Sequence, residues 1–378
     1  MHVLILGTRG IPAKHGGFET FAHNLSLFLK SRNHDVTVYC QQEQGEKGGR
    51  DVWNGINRVL IPAGDDALGT IKFDWAATWH SAREKDAVIL TLGYNTGVFS
   101  FLYRLNRVPS LMNMDGIEWK REKWSPMQRA WLWFNELAGA RAANHLIADH
   151  PEIQNHLGRH TSADKITMIP YGADAVLSAP VAPIRQYGLE PKNYFILIAR
   201  SEPENSVLEI VRAYSQRRRG MPLIALGTYK PETNLYHRKV MAAASSEVIF
   251  PGAIYDSETV KSLRFHAKAY FHGHRVGGTN PSLVESLAAG NAVIAHNNRF
   301  NRWVAGTGAR FFNGADDLAR ILEELESSPE LFLKMEEQSH IRHRQSFVHE
   351  DVLLAYEKLL LHYAEDRVRT SEQMLVAP

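Results

Sequence analysis

Short runs that are apolar at nearly every position recur along both halves of the chain, and segments of helical length separate them. Such runs favour strands buried on both faces, and their alternation with helices predicts parallel βαβ units. The pattern therefore predicts an α/β fold with two Rossmann-like, doubly wound domains. The predicted strands are 2–8, 35–40, 58–63, 86–93, 110–115, 145–149 and 166–172 in the first half, and 194–200, 222–227, 247–253, 267–273, 291–297 and 309–313 in the second.

A stretch with three prolines, 174–193, separates the two series of strands. Because 378 residues exceed what one hydrophobic core normally holds, we predict an N-terminal domain over 1–180 and a C-terminal domain over 181–346. Helical apolar spacing after residue 346 predicts that the tail, 347–378, is a closing helix that packs back on the first domain. Parallel sheets bind ligands beyond the carboxyl ends of their strands, so two sheets facing each other would place a ligand in the cleft between the domains.

Composition narrows the class of protein. The 43 basic and 41 acidic residues give a formal net charge of +2, which carries no global sign of nucleic-acid binding. The single cysteine, Cys40, excludes a disulfide framework and a cysteine-based zinc site, and its apolar neighbours predict a buried strand residue. HVLILG is too short for a signal-peptide core, and no apolar stretch approaches the roughly 20 residues that span a bilayer. We expect a cytoplasmic protein, whose aromatic cluster RAWLWF (129–134) is available for contact with the inner face of a membrane.

The first candidate site follows the first strand, in GTRGIPAKHGGFET. Gly16 and Gly17 permit positive φ and close backbone approach, and Glu19 begins an amphipathic helix. One interpretation is a loop whose N–H groups, with the helix N-terminus, bind an anion such as a diphosphate. The other is a loop without a ligand, in which Glu19 complements the helix dipole. The spacing matches neither a dinucleotide fingerprint nor a Walker A loop.

A second candidate, Asp115, ends the run 110–115 and precedes Gly116, where a Lys- and Trp-rich segment is predicted to begin a helix. A carboxylate at a strand end can orient an acceptor hydroxyl or contact a donor sugar. The competing interpretation is a helix cap or an Asx-turn, a common role for Asp before Gly.

Arg200 ends the first strand of the second half, which is otherwise apolar. Its guanidinium suits a bidentate phosphate contact at the edge of the sheet. The alternative is an ion pair with one of three nearby carboxylates, those of Glu202, Glu204 and Glu209. Lys230, after the next strand, either reinforces this positive charge or is simply solvated. Ile254, after the third strand, either presents its backbone N–H and C=O to a base edge or belongs to an ordinary turn.

The turn VGGTNPSLVESLAAGN offers two interpretations of Glu285. With Ser282 as N-cap, Glu285 closes a capping box of S-x-x-E spacing. With Asn280 as N-cap and Pro281 as the first helical residue, the helix ends at Gly290 and Glu285 lies more than one turn inside it. A carboxylate there can accept hydrogen bonds from the vicinal hydroxyls of a ribose. The proline favours the second interpretation.

Four stretches together resemble a known family: ILGTRGIPAKHGGFET, NMDGIEWKREKW, ARSEPEN and GGTNPSLVESLAAGNAVIAHNNRFNR. They are similar to the large retaining, nucleotide-sugar-dependent glycosyltransferases of the GT-B fold, family four, and to their rhamnosyltransferase-like subgroup in bacterial polysaccharide gene clusters. The resemblance extends over nearly the whole chain. It implies that the first domain binds the acceptor and the second binds the nucleotide sugar.

Members of this family carry two Glu residues with seven other residues between them. The later Glu binds the ribose, and the earlier one binds the donor sugar. The resemblance puts Glu285 at the later position and Gly277 at the earlier one, so the sugar contact must come from elsewhere. Arg200 matches the family's diphosphate-binding Arg, whereas Asn205 replaces its Lys partner. The donor-binding candidates in the loop are His274, Arg275, Gly278, Thr279 and Asn280.

The family implies catalysis without a tightly bound metal, in which Arg200 and the Gly16–Gly17 amides stabilise the charge that develops on the leaving nucleoside diphosphate. Asp115 and Glu19 complete the predicted catalytic residues, and no cofactor beyond the nucleotide sugar is expected. The favoured reaction moves a hexose, with retention, from a UDP-hexose such as UDP-glucose to a saccharide or lipid-linked acceptor in polysaccharide biosynthesis. The alternatives are a dTDP-rhamnose-dependent rhamnosyltransferase, a nucleotide-sugar epimerase and a non-catalytic nucleotide-sugar-binding protein.

Overall fold

The computed structural model describes residues 1–13, 16–64, 66–121 and 123–376, with side chains as far as residue 365. The chain forms two compact units: the first comprises Met1–Pro170 and Val352–Pro378, and the second comprises Tyr171–Asp351. The proline-containing stretch 174–193 belongs to the second unit, where its Ile184 and Leu189 are buried in the core. It therefore packs within that unit and is not an exposed linker.

The first unit contains an eight-stranded sheet. Its strands are β1 (His2–Leu6), β2 (Asp35–Gln42), β3 (Gly49–Trp53), β4 (Ile56–Pro62), β5 (Ala87–Leu92), β6 (Ser110–Asn113), β7 (His145–Ala148) and β8 (Ile166–Met168). They lie in the order β3-β4-β2-β1-β5-β6-β7-β8, and all neighbours pair in parallel except β3 and β4. The accompanying helices are α1 (Gly17–Ser31), α2 (Ala67–Ser81), α3 (Phe101–Asn106), α4 (Pro126–Ala142) and α5 (Pro151–Leu157).

All seven runs predicted in this half form strands, and β3 is the strand that the apolar pattern missed. Its sequence, GRDVW, is largely polar and exposed at the edge of the sheet, so it carries no apolar signal. The signal lies instead in the turn to β4. Asn54 and Gly55 both have positive φ, 48° and 77°, as a two-residue hairpin turn of type I′ requires.

The second unit contains a six-stranded sheet, and all six predicted strands are confirmed. They are β9 (Phe195–Ile198), β10 (Leu223–Leu226), β11 (Val248–Gly252), β12 (Ala269–His272), β13 (Ala292–His296) and β14 (Arg310–Phe312). All pair in parallel in the order β11-β10-β9-β12-β13-β14, which is the Rossmann order. The helices are α6 (Ala182–Arg185), α7 (Val207–Ser215), α8 (Leu235–Ala242), α9 (Ser257–Phe265), α10 (Pro281–Ala288), α11 (Arg299–Ala305), α12 (Ala315–Ser327), α13 (Glu330–Ser346) and α14 (His349–Val376).

From Val352 onward, α14 belongs to the first unit. The Tyr356 ring lies 4.7 Å from the Phe21 ring of α1, between centroids, and the Tyr356 hydroxyl accepts a hydrogen bond of 2.7 Å from Asn113. The buried Glu357 carboxylate accepts hydrogen bonds from Arg32 and His34 near the start of β2. Aromatic packing and a charged network therefore attach this helix to the first unit.

Each sheet reverses its strand order once, between β1 and β5 in the first unit and between β9 and β12 in the second. The strands at these points are fully buried: Val3, Leu4 and Ile5 of β1 are at most 1% exposed. Loops that leave such a switch point in opposite directions open a crevice at the carboxyl ends of the strands. The two switch points are therefore the places where the topology favours a ligand.

Candidate functional site

The turn from β12 to α10 lies beside the switch point of the second sheet. The helix begins at Pro281, and the Asn280 side chain accepts a hydrogen bond of 3.0 Å from the Ser282 N–H. Gly290 follows the helix with a φ of +69°. The predicted N-cap and helix stop are confirmed, and the capping-box interpretation of Glu285 is wrong because the helix starts earlier than it requires.

The Glu285 side chain is 36% exposed, and one of its carboxylate oxygens lies 2.6 Å from the Arg264 guanidinium. Arg264, on α9, also donates to the Ser282 hydroxyl, as does Tyr270. A largely buried guanidinium therefore orients the Glu285 carboxylate by a charge-assisted bond, which uses one of its two oxygens. Sequence reasoning missed Arg264, because nothing in its local sequence indicates a partner 21 residues away.

Gly277 and Gly278 lie in the loop that precedes α10. Gly277 has a φ of +139°, and a Cβ added there would meet no atom within 4 Å. The backbone conformation, and not crowding, therefore opposes a larger side chain at this position. The backbone N–H groups of Gly277 and Gly278 donate no hydrogen bond to any described residue. Free amides just before a helix N-terminus form an arrangement suited to an anion.

Two asparagines hold this loop from one side. Asn298 and Asn301 each donate a side-chain N–H to the His274 carbonyl, at 2.9 and 2.8 Å. The His274 ring stacks on that of His272, with 4.4 Å between centroids. Both asparagines lie in the motif NNRFNR, and two amides three positions apart after a strand are a signal that the motif comparison alone does not use.

Arg275, a candidate for the missing sugar contact, is engaged within the second unit. Its guanidinium donates to the Ser206 hydroxyl at 2.9 Å and pairs with Glu209 at 2.7 Å. Both partners lie at the start of α7, so Arg275 connects the β12 loop to that helix. This contact also occupies one of the carboxylates considered as partners for Arg200.

Arg200 is exposed, and no described carboxylate lies within 4.0 Å of its side-chain nitrogens. The ion-pair alternative for Arg200 is therefore wrong in this structure. Asn205, which stands where the family has a Lys, is 2% exposed and donates its amide to the Arg200 carbonyl at 2.9 Å. Asn205 therefore shapes the turn after β9 and leaves Arg200 as the cation at this strand end.

Lys230 and Ile254 follow the next two strands of the same sheet. Lys230 is exposed, and its backbone N–H donates to the His237 ring at 2.9 Å. Ile254 is half-buried, and among the described residues its backbone N–H and C=O make no hydrogen bond. Tyr255 beside it is 76% exposed. This backbone edge is available to a base, as the functional interpretation requires.

The carboxyl ends of parallel strands meet at one edge of a sheet. Arg200, Lys230, Ile254 and the β12 loop follow four adjacent strands, β9 to β12, so the fold brings them to the same edge of the second unit. The remaining predicted site residues lie in the first unit; these are Gly16, Gly17, Glu19 and Asp115.

The glycine loop lies at the switch point of the first sheet. Gly16 has a φ of +96°, α1 begins at Gly17, and the Thr20 N–H and hydroxyl both donate to the Gly16 carbonyl. The Glu19 carboxylate accepts the Arg9 N–H at 3.3 Å and lies against Gly16. Glu19 thus closes the loop onto the end of β1, which is a structural role beyond that of a simple dipole partner.

A cavity of about 110 Å³ lies at this switch point, with Glu19 in its wall. Asp74 of α2 also lines it and accepts a hydrogen bond of 2.8 Å from the Thr96 hydroxyl. Burial raises the pKa of Asp74 to about 6. Two carboxylates beside hydroxyl and amide groups suit a ligand rich in hydroxyls. Sequence reasoning missed Asp74, and an acidic residue within the apolar helix segment FDWAATW is the signal that marks it.

Asp115 follows β6 with a φ of +51°, and its N–H donates to the Asn113 side chain at 2.9 Å. Burial, reinforced by the neighbouring Glu118 carboxylate, raises the pKa of Asp115 to about 6. The turn is therefore closed by the Asn113 side chain. Asp115 is a half-buried carboxyl on a strained backbone, a combination typical of functional positions.

The helix predicted to begin after Gly116 does not begin there. Only a short 3-10 turn, Glu118–Lys120, forms, and α4 starts at Pro126. Ser125 is the N-cap and forms a capping box with Gln128. Ser followed by Pro is a stronger start signal than Lys and Trp content, and the prediction was wrong because it relied on the latter.

Three further predictions from the sequence concern Cys40, the aromatic cluster of 129–134 and membrane-spanning helices. Cys40 is buried in β2, as predicted. Trp131, Trp133 and Phe134 of the aromatic cluster are 39%, 48% and 49% exposed on α4. Within the described part of the chain, no helix combines the length and apolar character needed to cross a bilayer.

A family model described as "Domain of unknown function (DUF1972)" matches residues 1–174, which correspond closely to the N-terminal part of the first unit. No curated protein matches the sequence. The comparison that covers the whole chain is therefore with solved structures.

The chain is similar to sucrose-phosphate synthase from Thermosynechococcus elongatus, with 16% identity and a TM-score of 0.79 over 95% of this chain and 98% of that one. It is similar to HepE from Anabaena in complex with UDP-glucose, with 16% identity and a TM-score of 0.74 over 96% and 100%. It is also similar to an α,α-trehalose-phosphate synthase (UDP-forming) from Burkholderia xenovorans in complex with glucose-6-phosphate, with 11% identity and a TM-score of 0.72 over 96% and 100%. These neighbours are GT-B glycosyltransferases, and the predicted GT-B fold of two Rossmann-like domains is confirmed.

Proposed function

We propose that the protein is a glycosyltransferase that moves a sugar from a nucleoside-diphosphate donor to an acceptor. One observation carries the proposal: an unpaired arginine, two free backbone amides and an oriented carboxylate follow β9 and β12, on the two sides of the switch point of the second sheet. Cation and amides suit a diphosphate, and the carboxylate suits a ribose. The GT-B neighbours, several solved with UDP or UDP-glucose, support this assignment.

In this mechanism Arg200 and the N–H groups of Gly277 and Gly278 bind the diphosphate and stabilise the charge it gains as the bond to the sugar breaks. Glu285 accepts hydrogen bonds from the ribose, and the Ile254 backbone meets the base. Lys230 adds positive charge at the same edge, and Thr279 and Asn280 lead into the helix N-terminus. Because this cation and these amides can offset the charge of the diphosphate, we propose a reaction that needs no metal ion. The family resemblance supports the further proposal that the configuration is retained.

The favoured donor is a UDP-hexose such as UDP-glucose, and the alternative is dTDP-rhamnose. We propose that the acceptor is a saccharide or lipid-linked saccharide, bound by hydroxyl-accepting groups of the first unit, namely Glu19, Asp74 and Asp115. A role in polysaccharide biosynthesis at the inner face of a membrane is consistent with the exposed aromatic residues of α4.

A second candidate is a protein that binds a nucleotide sugar without transferring it. Two observations favour it: Asn205 is buried against the Arg200 carbonyl, and Gly277 has a backbone conformation that opposes a carboxylate-bearing residue. The two candidates differ in turnover. Release of UDP or dTDP from the sugar nucleotide in the presence of saccharide acceptors supports transfer, whereas tight binding without release across those acceptors supports the second candidate. An epimer formed from the donor alone would indicate an epimerase.

Calorimetric titration with UDP, GDP, dTDP, UDP-glucose and dTDP-rhamnose tests the site. We expect Glu285→Gln to weaken binding of the preferred ligand about tenfold, because a hydrogen bond to a charged group contributes about 1.5 kcal/mol or more. Glu324→Gln is the matched control, since Glu324 forms a Glu–Arg pair of 3.1 Å with Arg310 on another part of the unit.

Arg264→Gln distinguishes two roles of Glu285, a contact to the ligand and a structural ion pair with Arg264. If Glu285 contacts the ligand, Arg264→Gln leaves the carboxylate in place and weakens binding less than Glu285→Gln. Failure of the wild-type protein to bind any of the five ligands would refute the proposal. Equal losses in Glu285→Gln and Glu324→Gln would refute the assignment of Glu285.

A further inference from the structure

Three side chains of the first unit converge at a place that the proposed reaction does not use. Glu136 lies on α4, His156 lies on α5, and His160 follows α5 in the next turn. One carboxylate oxygen and two ring nitrogens lie within 4.8 Å of one another. The Nε2 atoms of His156 and His160 lie 2.7 and 3.6 Å from the same oxygen of Glu136.

These groups differ in burial, since the His156 and His160 side chains are 10% and 20% exposed, and one ring nitrogen lacks a hydrogen-bond partner among the described residues. Glu136 is 1% exposed. The Nε2 of His160 is buried and makes no hydrogen bond with any described residue. A buried polar atom without a protein partner is costly, and a bound metal ion would satisfy it.

We propose that Glu136, His156 and His160 bind a zinc ion. Two imidazole nitrogens and one carboxylate oxygen are a ligand set that Zn²⁺ accepts, with bonds of about 2.0–2.2 Å. At those lengths, tetrahedral ligand atoms lie about 3.4 Å apart. The distances from the Glu136 oxygen to the Nε2 atoms of His156 and His160, 2.7 and 3.6 Å, fall on either side of this value. Small side-chain movements would therefore bring these atoms to the tetrahedral spacing.

A further contact orients the carboxylate. The Trp119 ring N–H donates to the second oxygen of Glu136 at 3.0 Å, which leaves the first oxygen for the metal. Such outer contacts commonly orient metal ligands. Trp119 lies in the 3-10 turn that follows Asp115, so an ion at this place would connect α4 and α5 and fix the segment that carries Asp115.

Charges on the neighbouring helices also bear on the site. Arg141 and Arg159 lie close enough to His160 to lower its pKa, so they oppose a cation there. The Arg141 guanidinium is directed to the Leu137 carbonyl by a hydrogen bond of 3.2 Å. The buried Glu136 carboxylate supplies the opposing negative charge, since one of its oxygens lies 2.7 and 3.6 Å from the two ring nitrogens.

Zinc binding by the full chain tests this proposal without reference to sugar transfer. Protein stripped with a chelator is titrated with Zn²⁺ by calorimetry and with Co²⁺, whose visible absorption reports a tetrahedral site. We expect one ion per chain, and we expect His160→Gln to weaken Zn²⁺ binding at least about tenfold. His2→Gln is the matched control, since the chain has 18 histidines and His2 is a half-buried one beside Asp35 in the same unit.

Three results would overturn the proposal: no stoichiometric Zn²⁺ binding by the wild-type chain, unchanged binding by His160→Gln, or equal losses in His160→Gln and His2→Gln. Because the readout is metal binding, a chain that binds UDP but not zinc refutes only this site. A chain that binds zinc but no nucleotide refutes only the proposed function.

Discussion

The two switch points share a topology and differ in charge. At the first, between β1 and β5, Glu19 and Asp74 line the cavity. At the second, between β9 and β12, Arg200 and the free amides of Gly277 and Gly278 stand at the strand ends. The first edge therefore carries two carboxylates beside Arg9, whereas the second carries an arginine and free amides beside the single carboxylate of Glu285.

The fold determines where a crevice forms, and the loop residues determine which chemical groups that crevice can bind. A reversal of strand order supplies a crevice in either sheet. Carboxylates in that crevice suit hydroxyl groups, whereas a guanidinium and backbone amides suit a diphosphate. The contrast therefore predicts that the acceptor and the diphosphate of a sugar-transfer reaction are bound by different units.

Replacement of Arg200 should give the largest effect. We expect Arg200→Ala to weaken UDP binding by about 10- to 100-fold, because a charge-assisted contact to phosphate contributes about 1.5–3 kcal/mol. Uridine, which lacks the diphosphate, should bind equally well to both proteins. Calorimetry with the two ligands measures the difference.

The control for Arg200 is Arg218→Ala. The Arg218 side chain is 92% exposed and precedes β10, so it lies toward the opposite edge of the sheet. If both variants lose UDP affinity equally, the effect is one of net charge, and the second switch point is not the diphosphate site.

The apolar pattern was sufficient for every described strand except β3, because buried strands carry a continuous apolar signal in their own residues and β3 is largely polar and exposed. The sequence was also sufficient for the cap at Asn280, since an Asn-Pro step restricts where a helix starts. The Arg264–Glu285 pair and the burial of Asp74 could not be predicted, because each depends on elements that come together only in the folded unit. Asn205, where the resemblance implies the loss of the family's Lys, forms a local contact instead: its amide donates to the Arg200 carbonyl five residues away.

Asp74→Asn tests whether the first switch point holds a buried acid. The pKa of Asp74 is raised to about 6, above the value of about 3.9 in an unfolded chain. Between these values the folded state binds more protons, so the free energy of unfolding falls as pH rises from about 4 to about 6. Asparagine has no such titration, so the variant should be more stable than the wild type at pH 7 by up to about 3 kcal/mol.

Urea unfolding at pH 4, 5, 6 and 7 measures this difference, and the gap between the two proteins should open as the pH rises. Asp316→Asn, at an exposed position of the second unit, is the control. A gap that is constant with pH would show that Asp74 is not held as a buried acid. Loss of acceptor-dependent turnover, with UDP binding kept, would sharpen the contrast between the units.

Gly277→Ala and Gly277→Glu test why the second switch point lacks a carboxylate at this position. Both should destabilise the protein by about 1–2 kcal/mol, since a φ of +139° is unfavourable for any residue with a Cβ and the surrounding space is open. Gly49→Ala is the control and should leave the stability nearly unchanged, since Gly49 has equally open surroundings without a positive φ. A fully stable Gly277→Glu variant with faster turnover would show that the backbone does not exclude the carboxylate.

Lys230→Ala should have the smallest effect on UDP binding. It tests whether Lys230 contacts the diphosphate in place of the family's Lys, whose position is occupied by Asn205. Lys230 is exposed, and a solvated ammonium on a flexible chain contributes little unless the ligand immobilises it. We therefore expect less than about a threefold change in the UDP dissociation constant, measured beside Arg200→Ala at the same ionic strength. A loss of tenfold or more would instead make Lys230 a second diphosphate contact. In that case the positive charge of the second switch point would be shared between β9 and β10, and the free amides after β12 would carry less of the diphosphate's charge than the comparison of the two units implies.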